Sequence, residues 1–269
     1  MAHTRNRLGL RGAIGGPFLA VLAWTWAWVG DALGACTIES PPHRATVLEL
    51  YTSEGCNSCP PADRWLSRLR EQGPEPKVLP LAFHVDYWNE LGWVDRFSRP
   101  AFSARQRQVA ARHRGGIIYT PQMVLDGQDW RGWRSDDLVA RLRSINGERP
   151  GATIRADALI SGLGVQVQGT ARLADRKQAG VVAAWLALYE QGLVTAVAAG
   201  ENRGRTLQHD YVVRALIGPL RAGADGSIAL SGSIPLSADW KRERLGIAAF
   251  AEHNVTGRVL QAASAAGCL

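Results

Sequence analysis

The sequence has few of the features that make a protein class recognisable from composition alone. Its 269 residues contain no low-complexity tract, no repeat of fixed period and no long run of like charges, which argues against a disordered chain or a solenoid. The net charge of +7 at pH 7 is not gathered into a lysine-rich or arginine–aromatic patch, so no nucleic-acid partner is predicted. With 46% hydrophobic residues, the chain is expected to fold throughout, as two domains.

The first 35 residues differ from the rest. Three arginines between positions 5 and 11 precede an apolar stretch over residues 13–29, and small residues follow at 32–35. This pattern predicts a cleaved signal peptide over residues 1–35 and a periplasmic or secreted protein. A retained membrane anchor is the alternative, but the GGP sequence at 15–17 interrupts the apolar stretch. Residues 33–36 (LGAC) also resemble the box at which bacterial lipoproteins are cut and lipidated, here on Cys36.

Cysteine is scarce, with four residues in the chain: Cys36, Cys56, Cys59 and Cys268. An even number in an exported protein indicates disulfides. Cys56 and Cys59 are close enough in sequence to pair with each other, which leaves Cys36 and Cys268 as a bridge between the two ends of the mature chain. A lipid on Cys36 would instead leave Cys268 unpaired.

The elements after the predicted signal alternate between strands and helices up to residue 147. Short β-prone runs lie at residues 45–52, 81–85 and 117–125, and amphipathic helices are predicted from Pro60, from Pro100 and from Ser135. The first helix opens directly after Cys56-Asn57-Ser58-Cys59, because two prolines are tolerated only in a first turn. This order predicts an α/β thioredoxin-like domain over residues 36–147.

Beyond a linker at residues 147–151 the helical period disappears. Alternating apolar and polar residues recur in five stretches separated by glycine-rich turns, with one helical piece expected near residues 209–220. The stretches are residues 153–160, 163–173, 181–189, 227–236 and 246–251. Residues 151–269 are therefore predicted to form a β-rich, sandwich-like C-terminal domain.

The Cys56–Cys59 pair is the main candidate for chemistry. A thiolate at a helix N-terminus is stabilised by the helix dipole and by free N–H groups, so Cys56 is expected to be the exposed, attacking thiol. Cys59 can then resolve the mixed disulfide. The alternatives are an inert bridge or half of a metal site, but the chain has no second C-x-x-C and no H-x-x-x-H. No cofactor is predicted, and the expected partners are protein thiols or disulfides.

Four segments carry a family resemblance: residues 51–63 (YTSEGCNSCPPAD), 82–88 (AFHVDYW), 119–123 (YTPQM) and 199–206 (AGENRGRT). They resemble the secreted bacterial proteins grouped as domain of unknown function 1223. The resemblance implies a thioredoxin-like fold and an extracytoplasmic location, and it supplies no reaction. In such a core the Thr120–Pro121 bond is cis, and the backbone of Thr120 faces the disulfide and pairs with substrate.

Several other residues are auxiliary candidates. His84, Asp86 and Trp88 follow a strand that should end beside the cysteines, and Glu54 and Glu49 are the candidate acceptors for the proton of the resolving thiol. Two other functions stay open beside thiol–disulfide exchange. One is Cu(I) binding or delivery through Cys56 and Cys59 with His84 assisting. The other is a non-catalytic binding module in which the cysteines are a structural disulfide.

Overall fold

The structure is a computed structural model that describes residues 35–71, 78–113, 116–135 and 137–269. The predicted signal segment, apart from Ala35, lies outside the described residues. No helix in the described ranges is both long and apolar enough to cross a bilayer. The fold is mixed α/β and consists mostly of sheet.

The described part of the chain contains three α-helices, fourteen strands and four short 3₁₀ helices. The helices are α1 (Pro60–Ser67), α2 (Pro100–Ala111) and α3 (Leu138–Asn146). The strands are β1 (Ala35–Glu39), β2 (Thr46–Thr52), β3 (Val78–His84), β4 (Gln122–Leu125), β5 (Gln128–Asp129), β6 (Ala152–Ser161), β7 (Gly164–Leu173), β8 (Val182–Glu190), β9 (Leu193–Ala196), β10 (Thr206–His209), β11 (Val212–Arg221), β12 (Ser227–Pro235), β13 (Leu245–His253) and β14 (Val259–Ala266).

These strands form three sheets among the described residues. The large sheet has the order β14-β13-β8-β11-β3-β2-β4-β5, and the small sheet has the order β1-β6-β7-β12. Strands β9 and β10 form a separate antiparallel hairpin. In the large sheet β2 and β3 run parallel with α1 between them in the chain, and β4 lies antiparallel to β2. The predicted strand–helix alternation up to residue 147 is therefore present.

The two predicted domains share one sheet. Strand β11 joins the large sheet between β8 and β3 and pairs with β3 in parallel at Val212 and Ala82, where the Ala82 N–H also donates to the Tyr211 carbonyl at 2.8 Å. Strand β1, which the sequence assigned to the first domain, pairs with β6 along its whole length. The linker at 147–151 thus separates elements in the chain, but not two independent sheets.

Three local predictions need correction. The strand expected over residues 117–125 begins only at Gln122, because residues 117–121 pair with no neighbouring strand of the described sheets. The segment near 209–220, expected to be helical, is strand β11, because its apolar residues Val212 and Val213 fill the position between β8 and β3. Helix α3 begins at Leu138, later than Ser135, because the Asp137 side chain caps it by accepting from the Ala140 N–H at 3.1 Å.

The centre of the large sheet is buried on both faces. Along β8, Trp185, Ala187 and Tyr189 pack into the core that includes the helices, while Leu186 and Leu188 pack into the core shared with the small sheet. A strand covered on both faces reads as a continuous apolar run, which explains the sequence VAAWLALY. The large sheet is therefore the common wall of two cores.

A disulfide joins Cys36 in β1 to Cys268, with a Cα–Cα distance of 5.3 Å. Cys36 is 1% exposed, and its sulfur is engaged in the bond. The sulfur that the lipoprotein alternative requires is thus already bonded in this state.

Candidate functional site

The C-x-x-C segment lies where β2 ends and α1 begins. Cys56 and Cys59 form a disulfide with a Cα–Cα distance of 5.5 Å, and Cys59 is the N-cap of α1. The Cys59 carbonyl accepts from the N–H groups of Ala62 at 2.8 Å and Asp63 at 3.1 Å, which starts the helical hydrogen bonding. The sulfur of Cys56 consequently lies at the positive end of the helix dipole.

The second predicted part of the site, the Thr120–Pro121 turn, is adjacent to the cysteine loop. The peptide bond between Thr120 and Pro121 is cis. Ser58 connects the two segments, because its Oγ lies 3.3 Å from Cys56 Sγ and 3.5 Å from the Thr120 carbonyl oxygen. The indole N–H of Trp88 donates to Thr120 Oγ1 at 2.9 Å and so fixes the other side of the turn.

The exposure predicted for the attacking cysteine is wrong. Both Cys56 and Cys59 are 0% exposed, although Asn57 and Ser58 between them are on the surface. Trp88 packs against the same loop, so closely that a Cβ on Gly55 would lie 3.2 Å from its Cβ. Sequence spacing places a residue at a helix end but does not reveal which distant segment covers it.

The loop between β9 and β10, residues 197–205, also holds the cysteine segment. The Asn202 side chain is fully buried, and its Nδ2 donates to the Glu54 carbonyl at 2.8 Å and to the Cys56 carbonyl at 2.9 Å. Next to it, Glu201 Oε2 accepts from the Asn57 N–H at 3.0 Å. We call this contact between loop 197–205 and residues 54–57 the clamp.

A buried group of ionisable side chains surrounds the base of the site. His84 Nδ1 lies 2.6 Å from Asp95 Oδ2, and His209 Nε2 lies 3.4 Å from Glu54 Oε1. The other ring nitrogen of His209 lies 3.8 Å from Asp63 Oδ2, and the two histidine rings meet edge to face at 4.9 Å. We call these five residues the histidine–carboxylate cluster.

Within the cluster, the surroundings of His84 and Asp95 favour an ionised pair, whereas Asp63 holds its proton more firmly than a free carboxyl group does. Burial disfavours the charged form of His84 most, but the charge and the hydrogen bond of Asp95, together with the charges of Asp63 and Glu54, raise the pKa of His84 above its ordinary value. Burial also acts against ionised Asp95, yet His84 lowers its pKa. For Asp63, burial is the dominant effect and raises the pKa, while His209 and His84 oppose it. Asp63 is thus a group able to exchange a proton closer to neutral pH.

Of the auxiliary candidates, Glu54, His84 and Trp88 lie at the site, whereas two carboxylates are committed elsewhere. Asp86 accepts from the Ser103 hydroxyl near the start of α2. Glu49 accepts from Arg105 at 2.7 and 2.9 Å within a buried ion pair. The pairing with Arg105 removes Glu49 as a proton acceptor for a cysteine.

The sequence points to neither Asp63 nor Asp95 as a site residue, and for His209, Glu201 and Asn202 it predicts turn and inter-domain hydrogen-bonding residues, with catalysis as the minor alternative. Asp63 could have been found from the sequence, because it lies four positions after Cys59, and residues four positions apart lie on the same face of a helix. The others come from segments far away in the chain, and the two in loop 197–205 belong to a motif that the family resemblance already singled out.

A family model described as a protein of unknown function, DUF1223, matches residues 47–252. The chain belongs to this family. The matched range includes the cysteine segment, the cis turn, the clamp and the whole histidine–carboxylate cluster. For this DUF1223 protein, no match was found among curated proteins.

Two solved structures are similar in fold to this DUF1223 protein. A crystal structure of a protein from Agrobacterium tumefaciens is 24% identical, with a TM-score of 0.58 over 82% of this chain and 94% of that one. HBP35 of Porphyromonas gingivalis is 16% identical, with a TM-score of 0.62 over 84% of this chain and 76% of that one. At these identities the likeness concerns the fold alone.

The described ranges of this DUF1223 protein contain no group of three or more His, Cys, Asp or Glu side chains arranged to hold a metal ion. His84, which the copper alternative requires, is fully buried and bound to Asp95. No observation of the site favours that alternative.

Proposed function

We propose that this protein is an exported thiol–disulfide oxidoreductase whose Cys56–Cys59 pair exchanges disulfides with protein thiols, and that residues 36–147 are a thioredoxin-like unit. The observation that carries the proposal is the disulfide at the N-terminus of α1 beside the cis Thr120–Pro121 turn. An inert bridge needs neither the helix end nor that turn. Export is supported by the sequence of residues 1–35 and by the second disulfide, because such bonds persist in oxidising compartments.

The proposed exchange has two steps. The Cys56 thiolate attacks one sulfur of a substrate disulfide, forms a mixed disulfide and releases the other substrate sulfur as a thiolate. Cys59 then loses its proton and attacks Cys56, which releases the second substrate sulfur. The substrate gains two electrons and the Cys56–Cys59 pair loses two; with an oxidised pair and a substrate dithiol, the same steps run in reverse.

The proton of Cys59 needs an acceptor, because Cys59 is enclosed by protein. Asp63 is suited to that role: it is buried, it lies on the same face of α1 as Cys59, and its Oδ2 makes no hydrogen bond. Its raised pKa brings it nearer to that of a thiol, which favours proton transfer between them.

Because both cysteines are buried, the proposed exchange also requires that a substrate gain access to Cys56. A substrate sulfur must approach Cys56 along the direction of the bond that breaks, and no path is open while the residue is 0% exposed. The exposed Asn57 and Ser58 give a partner its first contact, and a local shift of Trp88 or of the clamp must follow.

The test is a trapping experiment. In Cys59→Ser the first attack occurs and the release step cannot, so mixed disulfides with exported proteins should accumulate. Cys56→Ser should trap at least tenfold fewer, and the double variant serves as the background. Non-reducing gels and mass spectrometry of the adducts give the measurement. Equal trapping by the two single variants would contradict the assignment of roles.

Complete burial of Cys56 favours one second function, a structural bridge in a binding module. The reduction potential separates the two functions, because structural disulfides in exported proteins lie below about −300 mV. A pair that equilibrates with glutathione in the native protein would speak for exchange.

A further inference from the structure

The clamp brings a negative charge to the end of the helix that should stabilise the attacking thiolate. Glu201 Oε2 accepts the hydrogen bond of the Asn57 N–H at 3.0 Å. Asn57 directly follows Cys56, and its N–H lies two residues before the N-cap Cys59, in the loop that leads into α1. A donor that is occupied by a carboxylate is not available to a thiolate, and the carboxylate itself repels one.

The position of Glu201 is fixed by its neighbour. Asn202 is 0% exposed, donates to the carbonyls of Glu54 and Cys56, and accepts from Arg205 Nη1 at 3.0 Å. Both sides of its amide group are therefore engaged. The exposed Glu201 side chain thus extends from an anchored backbone toward the N–H between the two cysteines.

The oxidised and reduced forms respond differently to this charge. The Cys56–Cys59 disulfide is neutral, whereas the reduced pair carries a negative charge once Cys56 is ionised. A nearby carboxylate therefore destabilises the reduced form and leaves the disulfide nearly unaffected. An oxidant becomes stronger when its reduced form is stabilised, and the reverse holds here.

We propose that Glu201 is a positioning residue that lowers the reduction potential of the Cys56–Cys59 pair, by holding a carboxylate on the Asn57 N–H. This inference rests on the function proposed above and adds to it the residue that sets the direction of exchange. The clamp biases the pair toward the disulfide, so that the reduced protein gives electrons to a partner disulfide more readily than it would without Glu201.

Glu201→Gln tests the charge alone, because the amide oxygen of glutamine can still accept from the Asn57 N–H. The probe is glutathione, in the balanced reaction of one protein disulfide with two glutathione thiols to give the protein dithiol and one glutathione disulfide. We expect the equilibrium constant to shift toward the dithiol by about three- to tenfold. A tenfold shift corresponds to a potential higher by about 30 mV.

Two controls keep the result specific. Glu39→Gln removes an exposed carboxylate in the small sheet and should leave the equilibrium unchanged. In the reduced proteins, the alkylation rate of Cys56 should reach half its maximum at a lower pH in Glu201→Gln than in the wild type. Glu201→Ala, which also frees the N–H, should shift both quantities at least as far as Glu201→Gln.

The outcomes separate the two proposals. If the wild-type pair exchanges with glutathione and Cys59→Ser traps substrates, but Glu201→Gln and Glu201→Ala behave as the wild type, the role of Glu201 is wrong and the oxidoreductase function stands. A shift of Glu201→Gln toward the disulfide overturns the inference as well. If the folded wild-type protein exchanges with neither glutathione nor substrates, both proposals fall.

Discussion

At the scale of single residues, the buried charged side chains are the feature of the structure that the sequence indicates least. Arg105 lies on α2 among several arginines, and nothing in the sequence distinguishes it from the exposed Arg107. It is 3% exposed and bridges Glu49 and Glu252, with Nη2 at 2.7 and 3.1 Å from their carboxylates. Its partners come from β2 and β13, so the pairing follows from the shared sheet and not from local pattern.

The histidine–carboxylate cluster makes stability depend on pH. The pKa of His84 is raised above 6.5, so the folded protein binds this proton more tightly than the unfolded chain does. The resulting stabilisation is complete below about pH 6.5 and is lost as the pH rises through the folded value. Asp95, with its lowered pKa, contributes in the opposite sense and loses its effect below about pH 4.

We therefore expect His84→Asn to lower the free energy of unfolding by about 3 kcal/mol or more at pH 5.5, and by less at pH 9. Urea titrations of both proteins at a series of pH values give the measurement. In an Asp95→Asn background, the additional change to His84→Asn should show a weaker dependence on pH. A loss of stability that is the same at pH 5.5 and pH 9 would contradict the assignment of the charge to His84.

At the scale of elements, the strands with clear alternation were predictable, since the pattern of buried and exposed residues along β6 alternates without interruption. Strand β11 was not predictable from its sequence. Its C-terminal half includes Gly218 and Pro219, and its N-terminal half is a strand because it pairs with neighbours on both sides. Pro80 is a similar case. It sits inside β3, on a part of the strand that β11 does not reach, so the missing N–H leaves no partner unsatisfied.

The pairing of β8 with β13 depends on a glycine. Gly246 lies opposite Tyr189, and a Cβ on Gly246 would fall 2.2 Å from the ring Cζ atom of that tyrosine. The buried ring cannot move without displacing its neighbours in the core.

We expect Gly246→Ala to lower the free energy of unfolding by about 1 to 3 kcal/mol, measured by urea denaturation. The matched control is Gly204→Ala, where a Cβ meets nothing within 4 Å, although the positive φ of 78° gives that change a cost of its own. In Gly246→Ala/Tyr189→Phe the ring stays, so the cost should persist; in Gly246→Ala/Tyr189→Leu much of it should disappear. A neutral Gly246→Ala would show that the two strands can separate locally.

At the scale of the whole molecule, the sequence indicated an α/β segment and a β-rich segment, but not that the two segments share one sheet. The helical and alternating patterns change near residue 147, and a composition shift of this kind is what a domain boundary looks like. Neither segment has a sequence pattern that indicates the parallel pairing of Val212 with Ala82, because this pairing depends on how strands from the two segments come together in one sheet. The same reason hid the clamp: loop 197–205 reaches the cysteines only because β8 and β11 extend the sheet of β2 and β3.

The bridge between Cys36 and Cys268 closes a loop with a sequence separation of 232 residues. A cross-link over so long a loop restricts the unfolded chain strongly. We expect Cys36→Ser/Cys268→Ser to lower the free energy of unfolding by about 2 to 5 kcal/mol, measured by thermal and urea denaturation under non-reducing conditions. Trapping by Cys59→Ser should continue in this background, because Cys36 and Cys268 are not part of the site. A double variant as stable as the wild type would show that the β1–β6 pairing alone holds the end of the chain.

The same bridge also determines whether the oxidised protein can be threaded through the narrow pore of a protease or translocase. Because Cys268 follows β14, the ring cannot close until all fourteen described strands have been synthesised. Once closed, the unfolded chain is a ring and cannot pass single file through a narrow pore; two segments must enter side by side. A protease or translocase that threads its substrates therefore meets a physical block unless the bond is first reduced.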